Sequence, residues 1–424
     1  DMGNVVGTPK ILKIRTSAKG ATTATYKWFA VVASGVNNYV NDGAGRFSTT
    51  GKPALFLLDL NKAAADNWSL GTNYFKISFP VSNDVALGTQ IVDTAGNGTG
   101  QGKATGVINF DATGDANGAV QYFYVGDLQG QFWKLDMTAA DFSESTAANN
   151  WDLAALSYFK HSTANTPIPM YVAKSADGKV QPISMNPSIA YGPKNSYIVA
   201  FGTGKYLEAA DNAISTATQT QSFYVLYDPK DGDTSDTSNA AGINGRARLQ
   251  ASSVSGTTID TPEFLWTPAR NASTGSATPN KKAGWYMDFP NGGSVGGERQ
   301  ITNAVLFGKQ IIFTSLMPPT ASASACGGGS SYTYFANLAS GDGTISAISA
   351  GAQGAPIIFN VGATLSVSDS TGLRTRTDRI VLGIPSSSGD DKLTISDEKT
   401  AASLVGRLSW RQINNYQDLK NKDS

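Results

Sequence analysis

Cysteine and histidine are nearly missing: the 424-residue chain has one of each. A single cysteine cannot form an internal disulfide, a Cys-rich zinc site or an iron–sulfur cluster. Cys326 lies in the glycine-rich run SACGGGSS, with no histidine or basic neighbour in sequence to activate it. It reads as an isolated thiol, or as half of a bridge whose partner lies outside the chain. A Ser-His-Asp triad or a histidine-held metal would have to use His161, which follows SYFK in a polar stretch and reads as an ordinary surface or half-buried side chain. Net charge is missing too. The 33 Lys and Arg balance 33 Asp and Glu, and charged residues are only 16% of the chain, below the usual share of about 25%. Nucleic-acid binding, which needs clustered cations against phosphates, is excluded on that ground. No apolar run reaches the length of about 18 residues that a transmembrane helix needs. The opening DMGNVVGTPKI is neither a signal peptide nor a natural start, so the chain reads as a processed product or a piece of something longer.

What is present is glycine, 45 residues of it, and enough apolar and aromatic side chains (40% and 10%) to bury a sizeable core. Short runs rich in β-branched and aromatic residues recur between turn-forming residues: Trp28–Ala33, Ala54–Leu60, Val120–Val125, Tyr197–Phe201, Ser222–Tyr227, Gln310–Leu316, Tyr332–Asn337 and Arg379–Gly383. Helical periodicity is weak, with short candidates at Asn61–Asn67 and Asp418–Lys422. YFYVGDLQGQFWKLDM reads as a hairpin with a tight turn at Leu128–Gly130, and YIVAFGTGKYLEAAD repeats the pattern. Hairpins repeated along the chain without interleaved helices suggest a β-propeller, although periodicity alone leaves a sandwich or a solenoid open. Residues 86–105, 228–258 and 268–282 are Gly/Ser/Thr/Asn-rich and read as loop insertions. No linker divides the chain, so residues 1–424 read as one domain.

Several motifs have plain readings. GTGKY at Gly202–Tyr206 lacks the spacing of a phosphate loop. Asn271–Ser273 matches a glycosylation sequon but is also a common loop tripeptide. Lys13 with Arg15, and Arg374 with Arg376 and Arg379, read as solvated basic faces. Asp228–Asp236 (DPKDGDTSD) reads as a solvated turn, with a cation site as the alternative. Trp133, Trp285 and Trp410 fall in strand-like motifs and read as packing between sheets, whereas Trp68 and Trp151 lie near loops and are candidates for an exposed binding platform.

Taken in order, the motifs resemble the C-terminal domain of the PilC/PilY proteins of bacterial type IV pili. They are VVGTP at Val5–Pro9, WFAVVASG at Trp28–Gly35, ALFLLDL at Ala54–Leu60, YVGDLQGQFWKLD at Tyr124–Asp136 and QPISMNP at Gln181–Pro187. They continue with IVAFGTGKYL at Ile198–Leu207, TQSFYVLY at Thr220–Tyr227, GWYMD at Gly284–Asp288, GERQIT at Gly297–Thr302 and IFTSLMP at Ile312–Pro318. Cys326–Gly329 and RLSWR at Arg407–Arg411 close the series. The resemblance implies an all-β fold, a modified seven-bladed β-propeller with long loop insertions. It also implies a preceding N-terminal region, often with a von Willebrand factor A-like domain, which this chain lacks. The implied protein is non-enzymatic and pilus-associated, exported through the periplasm to the outer surface. It would support pilus assembly, extension and retraction, twitching and adhesion, with minor pilins of the tip complex and a host or abiotic surface as partners. The chain has no RGD motif, so integrin binding by that route is not implied.

Members of that family often carry a calcium loop, Dx[DN]xDGxxD, just before the YxGD motif. Here the segment is DATGDANGAVQ, Asp111–Gln121. Counting back from Tyr124 places Thr113, Asp115, Asn117 and Gln121 at the ligand positions and Gly118 at the turn. A register two residues earlier uses Asp111, Thr113 and Asp115 and leaves Ala119 at the ninth position. Side-chain oxygens at alternate positions suit a hard cation such as Ca²⁺, but few of these are carboxylates, which weakens affinity. A turn held by Asx-type hydrogen bonds without metal is the competing reading. Two other classes stay in view. A quinoprotein-like propeller dehydrogenase commonly needs paired cysteines, which one cysteine cannot supply. A carbohydrate-binding propeller would show exposed tryptophan pairs on one face.

Overall fold

The computed structural model describes residues 2–17, 21–35, 52–80, 106–138, 151–207, 209–212, 214, 219–230, 241–275, 280–291, 297–319, 329–348, 351–366, 374–385, 393–395 and 399–405. Among them, strands dominate. The one α-helix, α1 (Leu153–Leu156), is a single turn whose first amides are capped by Asp152, which accepts from Ala155 N at 2.8 Å. No helix among the described residues is long and apolar enough to cross a membrane.

The strands fall into four-stranded units. The first is β1 (Lys10–Arg15), β2 (Tyr26–Ala33), β3 (Ala54–Asp59) and β4 (Tyr74–Ser78), paired in that order. The second is β5 (Phe110–Gly114), β6 (Val120–Gly126), β7 (Gln131–Asp136) and β8 (Tyr171–Val172). The third begins with β9 (Ser188–Tyr191), β10 (Tyr197–Gly202) and β11 (Ser222–Asp228). An insertion then carries β12 (Gln250–Ser255), β13 (Thr258–Asp260), β14 (Phe264–Trp266) and β15 (Asn280–Lys282) before β16 (Gly284–Asp288) completes the unit. The fourth is β17 (Val305–Phe307), β18 (Gln310–Met317), β19 (Ser330–Asn337) and β20 (Gly343–Ile348). In the fifth, β22 (Arg374–Pro385) pairs with β21 (Ile357–Leu365), β23 (Leu393–Ile395) and β24 (Lys399–Val405).

These units stack face to face, as the period-2 alternation of side chains requires. Along β6, Phe123 and Val125 enter a core shared with Phe29 and Val31 of the first unit, while Tyr122 and Tyr124 enter a core shared with Tyr197, Val199 and Phe201 of the third. Along β10 the next residues, Ile198 and Ala200, face the other way and pack with Ile311 and Phe313 of the fourth unit. Ile312 and Phe335 then face Ile358, Leu382 and Ile384 of the fifth. Each middle strand is therefore apolar on both faces, which is why these strands read as unbroken hydrophobic runs. The first strands of successive units lie next to one another. Lys10 of β1 reaches Asp111 of β5, and Asn186 and Ser188 at β9 bond to Asn303 and Ala304, just before β17. They are the inner strands of blades, and they are half-exposed where the middle strands are buried.

The architecture is the β-propeller expected from the sequence, with two departures. Within the loop insertions expected at 228–258 and 268–282, residues 280–282 form β15, residues 250–255 form β12 and residue 258 opens β13. The last two bridge the third and fourth blades: β12 pairs with β16 in parallel, and β13 with β20. One hydrogen-bonded sheet of ten strands results, whose two ends meet at the β9 and β17 contacts just described. Asn61–Asn67, expected as a short helix, is a turn; Asp59 Oδ1 accepts from Asn61 N at 2.8 Å and closes the strand instead. The Asp418–Lys422 candidate, Trp410, the Arg407–Arg411 motif, residues 86–105 and Cys326 lie outside the described residues.

Candidate functional site

The motifs in the middle of the chain meet in a polar seam at the edge of the third blade. Gln181 donates from Nε2 to the Thr220 carbonyl at 2.9 Å and to Ser222 Oγ at 2.6 Å, and it accepts from Tyr224 OH at 2.5 Å. Ser184 Oγ donates to the Gly204 carbonyl at 2.7 Å, and Gly204 N to the Pro182 carbonyl at 2.8 Å. Gln300 N donates to the Thr203 carbonyl at 3.1 Å. QPISMNP, FGTGKYL, TQSFYVLY and GERQIT thus hold one another. Lys205, which a phosphate loop would aim at an anion, is paired with Asp211 at 2.8 and 3.0 Å. Arg299 lies 3.7 Å from the same carboxylate and donates to the Lys205 carbonyl.

Three buried carboxylates have distinct surroundings. Glu298 accepts from Ser315, Tyr334 and both Asn291 nitrogens, and burial pushes its pKa upward against those hydrogen bonds. Asp127, in the turn between β6 and β7, takes the Gln129 and Gln131 amides on Oδ1 at 2.9 Å each; burial pushes its pKa up to about 7. Asp228 at the end of β11 meets Lys134 of β7 at 2.9 Å, in a pair with essentially no exposed surface. The Lys134 ammonium also sits 4.1 and 3.6 Å from the ring centroids of Tyr122 and Tyr158. Tyr124 OH donates to Asp228, and burial foremost, then that carboxylate, raises the phenol's pKa well above its ordinary value. These groups clamp the second blade to the third. Asp228, which the sequence places at the head of a solvated turn, is buried instead, while Asp127 and Glu298 fall inside the YVGDLQGQFWKLD and GERQIT motifs without a role of their own. A signal was available, because the third strand of each of the first four blades ends in Asp or Asn. Asp59, Asp136, Asp228 and Asn337 each accept the backbone amide two residues on, at 2.8–2.9 Å.

Residues 83–259 match the family model for the PilY1 beta-propeller domain. A type IV pilus biogenesis factor PilY1 homolog of Xylella fastidiosa is 28% identical over 356 residues, covering 84% of this chain and 20% of its own length. Type IV pilus biogenesis factor PilY1 of Pseudomonas aeruginosa PAO1 is 30% identical over 222 residues, 49% of this chain and 18% of that protein. Over the matched residues the chain is similar to the PilY1 β-propeller domain. The crystal structure of the P. aeruginosa PilY1 C-terminal domain shares the fold, with a TM-score of 0.53 at 21% identity over 93% of this chain and 72% of that one. The chain spans about a fifth of the length of the curated PilY1 relatives it matches.

Within the matched residues, Asp111–Gln121 is the hairpin of β5 and β6. Asp111 and Thr113 lie within β5, opposite Tyr124 and Tyr122, and Asp115 and Asn117 lie in the turn. Gln121 is the extra residue of a β-bulge, because Thr113 pairs with Tyr122 and Gly114 with Val120. Asp111 Oδ1 meets Lys10 Nζ at 2.6 Å and the Ala112 amide at 2.9 Å. Asp115 Oδ1 accepts the amides of Asn117 at 2.8 Å and Ala119 at 2.9 Å, an Asx-type turn. Thr113 Oγ1 is buried without a hydrogen-bond partner and borders a cavity of about 260 Å³ between β5 and β9. Among the described residues no group of three or more His, Cys, Asp or Glu is placed to hold a metal, and Asp111, Thr113, Asp115, Asn117 and Gln121 include only two such side chains.

The remaining sequence candidates resolve individually. His161 is half-buried, and its Nδ1 accepts the Thr163 and Ala164 amides of a turn. Trp133 and Trp285 are buried between blades, as expected. Trp68 is 52% exposed. Trp151 departs from expectation: it is buried, stacked on Phe75 at 4.3 Å and packed on Phe29. Lys13 is half-exposed, and its ammonium donates to the Asn117 carbonyl at 3.2 Å. Asp231, Asp233 and Asp236 lie outside the described residues.

Proposed function

We propose that this domain is a non-catalytic hub of a type IV pilus-associated protein, which supports pilus assembly and retraction control and presents loops to minor pilins and to a surface. The observation that carries the reading is the match to PilY1 relatives, whose names state a role in type IV pilus biogenesis. The chemistry is consistent with it. The polar groups that the family motifs contribute are spent on one another, in the Gln181–Ser222–Tyr224 network and in the Lys205–Asp211 and Lys134–Asp228 pairs. A hub of this kind requires export to the cell surface.

Deletion of the gene tests it. Surface piliation, twitching and adhesion are expected to fall and to return on complementation. Complementation with a Trp285→Ala variant, whose buried indole joins the third and fourth blades, is expected to fail. Unchanged piliation, twitching and adhesion in the deletion strain would remove the proposal.

A further inference from the structure

Strand β1 of the first blade points two lysines at the Asp111–Gln121 hairpin of the second. A parallel bridge between Lys13 and Ala119 sets the register of the two backbones. From it, Lys13 Nζ reaches the Asn117 carbonyl at 3.2 Å, and Lys10 Nζ reaches Asp111 Oδ1 at 2.6 Å. The ammonium groups are also held by rings: Lys10 lies 5.2 Å from the Phe110 centroid and Lys13 4.6 Å from that of Tyr26. A carboxylate and a turn carbonyl, two oxygens of the kind a divalent ion would collect, therefore already face cations supplied by the protein.

We propose that Lys10 and Lys13 are the resident cations of this hairpin, so that the turn, and the joint it makes with the first blade, form without calcium. Calcium takes six to eight oxygens at about 2.3–2.6 Å. The hairpin offers two carboxylates, of which Asp111 is paired with Lys10 and Asp115 is bound to two amides. An entering divalent ion would have to displace Lys10 and then sit beside two ammonium groups, whose repulsion opposes it. Lysine also does what metal would not: its four-carbon stem runs from another blade, so the neutralising charge is at the same time an interblade tie.

Melting temperatures of the full 424-residue chain in millimolar calcium and in chelator test this, for the wild type and for Lys10→Gln/Lys13→Gln, Lys10→Arg/Lys13→Arg and Asp111→Asn/Asp115→Asn. The wild-type Tm is expected to be the same in calcium and in chelator. The glutamine pair is expected to melt lower by about 1–2 °C, as loss of roughly 1–2 kcal/mol gives in a chain of this length, and the arginine pair to recover most of that loss. A calcium-dependent rise in the wild-type Tm that the double asparagine variant abolishes would overturn the proposal. So would a glutamine pair that melts at the wild-type temperature.

Discussion

Asp127 sits among groups that hold it without neutralising it. Two backbone amides and the Gln131 side chain reach its carboxylate, yet burial keeps the pKa near 7. The folded state therefore binds a proton that the unfolded chain, with an ordinary carboxylate, releases at about pH 4. Between about pH 4 and pH 7 the native state carries more protons, so stability falls as pH rises through that window, by on the order of 4 kcal/mol at most. Asp127→Asn keeps an acceptor for the amides and removes the titration. Urea unfolding from pH 4 to pH 8 is expected to show a flatter profile for the variant than for wild type. Tryptophan gives a second contrast at this scale. Trp151→Ala is expected to cost about 3–5 kcal/mol, because it empties a site stacked on Phe75 and packed on Phe29. Trp68→Ala at an exposed position is expected to cost less than about 1 kcal/mol. Denaturant midpoints of the two variants check both values.

At the scale of the element, Gly284 opens β16 with φ +146°, and a Cβ built there would lie 2.0 Å from the Val225 carbonyl oxygen of β11. The β11–β16 pairing thus depends on a missing side chain. Gly284→Ala is expected to destabilise by more than about 2 kcal/mol, seen as a lower thermal midpoint and loss of near-ultraviolet dichroism from Trp285. Legibility of the strands followed their burial. β2, β6, β10, β11, β18 and β19 pack on both faces and stand out as apolar runs. The inner strands β1, β5 and β9 are half-exposed and carry lysine, aspartate and serine, so no unbroken apolar run marks them, and β17 is apolar but only three residues long. β12 and β13 hide in a Ser/Thr-rich stretch because they pair through backbone more than through side chains. The Asp111–Gln121 segment was legible as a turn rich in oxygen. Its partner cations were not, since Lys10 and Lys13 lie about a hundred residues away and only the fold brings them near.

At the scale of the molecule, successive blades are joined by apolar faces and by a few buried polar clamps. Lys134–Asp228 is the clamp between the second and third. Removing one partner strands a charge in a low-dielectric site, so Lys134→Met is expected to cost about 3–5 kcal/mol. Lys134→Met with Asp228→Leu is expected to cost less than the single change, because no unpaired charge remains. Chemical unfolding of the three variants checks the order. Among the described residues, the third and fourth blades are joined by strand ladders through β12 and β13, where the first and second share the single Lys13–Ala119 bridge. In mechanical terms this makes the pair a single stiff plate. Tension entering at β9 passes to β20 along continuous amide–carbonyl ladders, whereas between the first and second blades it must cross one isolated backbone bridge and side-chain contacts. A pull on the domain is thus expected to part the first and second blades from their neighbours while the third and fourth stay locked together.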